Sequence, residues 1–221
     1  MKLFVSDLHL GSPLFNKSFE LINLFKKPIV DEIYLIGDIF DSWEMDPLET
    51  YYHYESLITI INFINKPVFI IVGNHDPNKQ IVQEVFFNRA VLDKIETNIC
   101  GKKALVSHGH EACTDSKLAR KLFFIHYYAQ RMFGINIKGM ICDLWHRFLM
   151  LSSINEQDVV MKIEKEICDT YKDKYDMVIC GHTHIGKIVY NSNPIYINSG
   201  CVIYKPTYIL ADDCSFSLEG L

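Results

Sequence analysis

The sequence predicts an α/β protein built around a largely buried sheet, and three features carry that expectation. Short apolar runs of strand length recur, in "KLFVSD", "EIYLIGD", "PVFIIVGNHD", "KALVSHG" and "DMVICGH", each ending at a glycine or a chemically active polar residue. Segments of helical period separate them, at residues 17–27, 50–65 and 78–89. The runs are apolar at nearly every position, as strands covered by helices on their outer faces must be.

Taken in order, the first run leads from the N-terminus into Asp7 and His9, and the second into Asp38 and Asp41. The third ends in Asn74, His75 and Asp76, the fourth in His108 and His110, and the fifth in His182 and His184. Beyond Gly186, "KIVYNSNPIYINSGCVIYKPTYILADDCSFSLEG" alternates β-rich runs with Asn, Ser, Asp and Pro, which predicts consecutive antiparallel strands. Residues 115–150 break the rhythm. There Ile137, Met140, Ile141, Leu144, Trp145 and Phe148 fall on one helical face, and Lys117, Arg120, Lys121, Arg131, Lys138 and Arg147 stand against only Asp115 and Asp143. This is a basic, aromatic, helical insertion on an acidic body, and we expect it to form a cap over residues 113–153 of a single domain spanning 1–221.

Composition excludes several functions. With 221 residues the chain is long enough for one full core and short for two. The net charge of −5 gives no basic footprint, so nucleic acid is not expected as the main partner. Seven cysteines, odd in number and without a CxxC pair, fit neither a disulfide scaffold nor a zinc ribbon and point to a reducing compartment. The first apolar run is too short for a signal sequence and no window of eighteen apolar residues occurs, so the expected location is cytoplasmic. Peripheral contact with the inner membrane through Phe123, Phe124, Tyr127 or Trp145 of the insertion is a further expectation.

One polar strand end means little, because Asp, Asn and Gly favour such places as caps and turns. Five of them, with carboxylate, amide and imidazole groups and no cysteine, describe a site for hard or borderline divalent cations. The potential ligands at these ends are Asp7, His9, Asp38, Asp41, Asn74, His75, Asp76, His108, His110, His182 and His184. Two cations roughly 3.5–4 Å apart neutralise a phosphate and acidify water, and they require a carboxylate that binds both. Asp38 is the candidate for that bridge. An acid must protonate the departing oxygen, and a histidine held by a carboxylate suits the task; His75 followed by Asp76 provides the residue types.

The blocks "DLH", "GDIFD", "GNHD", "SHGH" and "GHTH" resemble, in the same order, the five motifs of the calcineurin-like metallophosphoesterases. The likeness extends from Met1 to about Ala211 and includes "YINSG" after the last block. It implies a four-layer α-β-β-α sandwich of two mixed sheets and two divalent metals, with Mn²⁺ the first choice and Fe²⁺ or Zn²⁺ the alternatives. By the same resemblance one metal takes Asp7, His9, Asp38 and His184 and the other Asp38, Asn74, His108 and His182. His75 is then the acid, with Asp41 and Asp76 as orienting groups.

Within that family, "GDIFDSWEMD" and "HGHEACTDSKLARK" are similar to the UDP-2,3-diacylglucosamine pyrophosphatases of lipid A synthesis, which also insert a helical lid between the fourth and fifth blocks. That group usually has arginine where this chain has His75 and aspartate where it has His110. The resemblance implies a phosphate-containing glycolipid substrate, with His110, Asp115, Arg120, Arg147 and Trp43 as candidate contacts. Two other readings stand beside it: a general phosphatase or phosphodiesterase on nucleotides or phosphoproteins, and a non-catalytic scaffold. A scaffold should have lost ligands or the acid, whereas every such position here is filled.

Overall fold

The computed structural model describes residues 1–113 and 156–221. Among these, the order of elements is β1 (Lys2–Val5), α1 (Ser18–Lys26), β2 (Glu32–Ile36), α2 (Pro47–His53), α3 (Glu55–Phe63), β3 (Val68–Ile71), α4 (Lys79–Val85), β4 (Ala90–Leu92), β5 (Lys94–Ile99) and β6 (Lys102–Ser107). A 3₁₀ turn at His110–Ala112 follows, then α5 (Glu156–Tyr171), β7 (Met177–Cys180), β8 (Lys187–Val189), β9 (Ile195–Asn198), β10 (Thr207–Ala211) and β11 (Phe216–Gly220). The expected cap over 113–153 lies, after Cys113, outside the described residues.

Two mixed sheets result. One runs β11-β10-β1-β2-β3-β4, and the other β5-β6-β7-β9-β8. β1 to β4 pair in parallel, as do β6, β7 and β9, while β10, β11, β5 and β8 pair antiparallel at the margins. The strand period of two sorts the side chains between layers. Phe4, Tyr34, Ile36 and Ile71 of the first sheet meet Val106, Met177, Ile179 and Ile197 of the second between the sheets. The alternate residues Leu3, Val5, Ile33, Leu35 and Ile70 face Leu21, Leu24 and Phe25 of α1 and Leu57, Ile58 and Ile61 of α3. On the opposite side Leu105, Val178, Cys180 and Tyr196 pack on Ile167 and Tyr171 of α5. The architecture is therefore the expected helix-sheet-sheet-helix sandwich.

Local chemistry explains the helix boundaries. Asp46 caps α2 by accepting from Leu48 N at 2.9 Å, with Pro47 in the first turn, and Asn78 caps α4 by accepting from Ile81 N at 3.0 Å. The single helix expected over 50–65 is two, because Tyr54 leaves helical geometry (φ −113°, ψ 26°) and turns its ring edge-on to Phe15. The strands expected after Gly186 also divide. β8 and β9 form a hairpin in one sheet and β10 and β11 a hairpin in the other, so residues 199–206 carry the chain between sheets. β4 and β5 have no strong sequence signal: the first is three residues long, and the second alternates exposed and half-buried residues along a sheet edge.

Because β1, β2, β3, β6 and β7 run parallel within their sheets, the polar residues that follow them collect at one end of the sandwich. Open α/β sheets hold ligands at such carboxyl ends.

Candidate metal centre

The loops after β1 and β2 continue side by side beyond the last ladder pair. Asp7 N donates to Gly37 O (3.0 Å), His9 N to Asp38 O (2.9 Å) and Leu10 N to Ile39 O (2.8 Å). Asp7, His9 and Asp38 all have left-handed backbones, with φ of 52°, 51° and 50°, and His182 and His184 share the feature at 70° and 60°. Each such non-glycine conformation costs about 1–3 kcal/mol. Five together are comparable to the whole net stability of a typical domain, about 5–15 kcal/mol. The surrounding structure must hold these residues firmly, and the result is five side chains directed into one pocket.

Two glycines make room for them. A Cβ on Gly73 would overlap the Asp38 carboxylate, and one on Gly181 would overlap that of Asp7. Both positions bring backbone directly against a candidate ligand, which is why "GNHD" and "GHTH" open with glycine.

The side chains meet in three overlapping groups whose donor atoms lie within 4.8 Å of one another: Asp7, His9 and His184; His9, Asp38 and His75; and Asp38, His108 and His182. His184 Nε2 is 3.1 Å from Asp7 Oδ1, His9 Nε2 is 3.3 Å from His184 Nε2, and His108 Nε2 is 3.2 Å from Asp38 Oδ2. Asp38 belongs to two of the groups, as a bridging carboxylate must. Its other oxygen, Oδ1, accepts from His75 N at 2.8 Å. His108 Nδ1 meets Ile36 O at 2.9 Å, so Nδ1–H donates to this carbonyl and Nε2 faces the pocket.

Charge in the pocket is strongly polarised. Burial raises the Asp7 carboxyl, but the charges of His184 and His108 outweigh it and hold it at about 2. Burial is likewise overcome at Asp38, by His108 and His75, and at Asp41, by hydrogen bonds to His75 and His9, so both lie well below the carboxylate range. At neutral pH the pocket thus contains three ionised carboxylates. Burial and the neighbouring His108 push His182 down to about 4, which leaves it neutral with a lone pair to offer. His108 moves the other way, up to about 10, because the Asp38 charge exceeds the effect of its burial.

Around this core, Asp41 and Asp76 play different parts. Asp41 Oδ1 is 3.3 Å from His75 Nδ1 and Oδ2 is 3.7 Å from His9 Nδ1. Asp76, although next to His75 in sequence, accepts from Phe40 N (2.8 Å) and Gly73 N (2.7 Å), and so ties the second loop to the third. Burial and the Asp38 charge raise its carboxyl to about 6. The carboxylate that supports His75 is therefore Asp41. Trp43 stacks on the His75 ring at 4.7 Å and 16°, and His9 meets that ring edge-on at 4.8 Å. His110 sits beside the centre, its ring 5.4 Å from His108. Asp115, Arg120 and Arg147 lie outside the described residues, as do Phe123, Phe124, Tyr127 and Trp145.

Two neighbours were not among the site residues to which the sequence pointed. Tyr204, an exposed loop aromatic, lies 6.1 Å from the His184 ring. Asn198 ends β9 behind the last histidine loop, and the one available clue was that "YINSG" closes an apolar run with a polar residue as the other site strands do.

Buried polar atoms test whether the pocket suits cations. Asn74 Oδ1, Asp7 Oδ1 and His108 Nε2 are all buried without a hydrogen bond of proper geometry. An unsatisfied buried group costs about 1–3 kcal/mol. Oxygen and imidazole donors of this kind, converging around ionised carboxylates, fit two divalent ions sharing Asp38.

Comparison with known proteins agrees with this geometry. The family model described as calcineurin-like phosphoesterase matches residues 3–186. The chain is 25% identical over 202 residues to a UDP-2,3-diacylglucosamine hydrolase of Vibrio cholerae serotype O1, an alignment covering 82% of this chain and 80% of that one. A protein of the same name from Salmonella arizonae is also 25% identical, over 82% of this chain and 81% of its own. Among solved structures, a phosphoesterase from E. coli has the same fold at a TM-score of 0.56, 15% identity and coverage of 99% and 92%. An archaeal phosphodiesterase does so at 0.52, 17% identity and coverage of 100% and 99%. With the five strand ends converging as the motifs require and the family model spanning most of its length, the chain belongs to the calcineurin-like phosphoesterase family and is a metal-dependent phosphoester hydrolase.

Proposed function

We propose that this phosphoesterase cleaves the pyrophosphate of a nucleotide-linked glycolipid, UDP-2,3-diacylglucosamine or a close analogue, releasing UMP and a lipid phosphate. The observation that carries the substrate class is the likeness along four-fifths of both chains to proteins named UDP-2,3-diacylglucosamine hydrolase. The centre itself supports the reaction class through the groups that share Asp38.

When bound, two divalent ions supply charge neutralisation for the phosphate oxygens and a lowered pKa for water. Asp7, His9, Asp38 and His184 would hold one, and Asp38, Asn74, His108 and His182 the other, with Mn²⁺ the first choice. The chain's own groups do the rest. His75 donates Nδ1–H to Asp41, so its Nε2 is free to deliver a proton to the departing oxygen. Trp43 stacked on the ring and Asp41 at its edge fix the orientation in which that proton is offered. His110 and the basic residues Arg120 and Arg147, with Asp115, are assigned to substrate contact. The location consistent with a lipid substrate is the cytoplasmic face of the inner membrane, reached by surface contact; no helix among the described residues is long and apolar enough to cross a bilayer.

A phosphatase or phosphodiesterase with a soluble substrate is the second reading, favoured by His75 and His110 where the glycolipid enzymes usually have arginine and aspartate. Phosphate-ester cleavage by the Mn²⁺-loaded protein separates the two. We expect UMP from UDP-2,3-diacylglucosamine and little from unacylated UDP-N-acetylglucosamine. Turnover confined to bis-p-nitrophenyl phosphate would refute the glycolipid assignment and leave the hydrolase.

A further inference from the structure

The histidine loop after β7 poses a mechanical problem. His182 and His184 both hold left-handed backbones, which histidine adopts only when its surroundings impose it, yet each belongs to a different ligand group. From the pocket side the loop is held by His182 N donating to Asp7 Oδ2 at 3.1 Å. Gly181 N also donates to His108 O at 3.3 Å, and from behind the side-chain amide of Asn198 reaches the turn itself.

Asn198, at the end of β9 and 0% exposed, places Nδ2 2.6 Å from Gly181 O, 3.0 Å from Thr183 Oγ1 and 3.0 Å from Tyr196 Oη. Gly181 and Thr183 are the neighbours of His182, and Thr183 precedes His184. On its other side, Asn198 Oδ1 accepts from Gly200 N at 2.8 Å, while Gly200 O accepts from Ser6 Oγ at 2.7 Å, next to Asp7. One buried side chain therefore couples the ends of β7 and β9 and, through Gly200 and Ser6, the end of β1. Only an amide fits: it must donate to a carbonyl and a hydroxyl and also accept from a backbone N–H. Aspartate would set a carboxylate against the Gly181 carbonyl, and leucine would remove every one of these side-chain hydrogen bonds.

We propose that Asn198 is a positioning residue for both cation sites, holding the His182–Thr183–His184 turn in its left-handed form through Gly181 O and Thr183 Oγ1. The proposal rests on the two-metal reading above. Groups that orient metal ligands typically contribute 10–100-fold in metal affinity or activity.

The test is Mn²⁺ affinity of the full chain, measured by competition with a chromophoric chelator, together with the visible spectrum of the Co²⁺-loaded protein. Asn198→Asp should bind Mn²⁺ about 10–100-fold more weakly and show an altered Co²⁺ spectrum. Asn62→Ala removes another buried amide, whose Nδ2 donates to Val85 O at 2.9 Å on the helical side of the first sheet, and serves as the control for lost stability alone. It should unfold more readily and keep wild-type affinity and spectrum. A folded Asn198→Asp protein with wild-type affinity and spectrum would overturn the proposal. If that variant does not fold, Thr183→Val decides: about fivefold weaker binding, the equivalent of one hydrogen bond, supports the proposal, and unchanged binding defeats it. A wild-type protein that takes up no Mn²⁺ would instead overturn the two-metal reading, and this one with it.

Discussion

Three groups restrain the His75 ring: Asp41 at Nδ1, Trp43 over one face and the edge of His9 beside it. Its main chain is also tethered, with N donating to Asp38 Oδ1 and O accepting from Ser42 N at 3.2 Å. A side chain so placed, and still partly open to solvent, is suited to passing a proton to a substrate. His75→Ala should lower kcat by roughly 10²–10⁴, the contribution of a general acid, while metal content by elemental analysis stays at the wild-type level. Because His75 also shares a ligand group with His9 and Asp38, a fall in metal content would reassign it from acid to ligand. Sequence disclosed the residue types here but not the pairing. Asp76 is adjacent to His75 in the chain, yet the carboxylate that reaches its ring comes from Asp41, on another loop, and no spacing rule reports that.

Two elements separate stability from chemistry. The C-terminal end of α3 is closed by Arg89, whose guanidinium donates to Ile61 O (2.6 Å), Ile64 O (2.6 Å) and Lys66 O (3.0 Å). Arg89→Ala leaves these carbonyls without that partner, and a loss of about 1.5–3 kcal/mol in urea denaturation is expected with kcat unchanged. The glycine before His182 is the opposite case. Gly181→Ala drives a methyl into the Asp7 carboxylate and Ser6, so it should cost about 1–3 kcal/mol by overpacking and also reduce bound metal, read by denaturation and elemental analysis together. Stability loss without metal loss would show that the loop yields without moving Asp7. At this scale the strands that lead to the candidate ligands were legible because each is a mostly apolar run stopped by glycine or a polar residue. The short and half-polar β4 and β5, the break at Tyr54 and the sheet switch at residues 199–206 were not, since tertiary packing rather than local periodicity decides them.

Across the whole molecule, parallel strands from two sheets deliver candidate ligands to one end of the sandwich, and Asp38 is shared by two of the three groups they form. The packed core between the sheets and the helices outside them provide the stability that offsets the strained backbones of that end. The most direct test of this account is a titration of metal-free protein with Mn²⁺, following hydrolysis of bis-p-nitrophenyl phosphate against bound metal per chain. Activity should rise to a plateau at two equivalents, and Asp38→Asn should lose both the bound metal and the turnover. A plateau at one equivalent, full turnover in the presence of excess chelator, or normal metal content and rate in Asp38→Asn would contradict a two-metal centre bridged by Asp38.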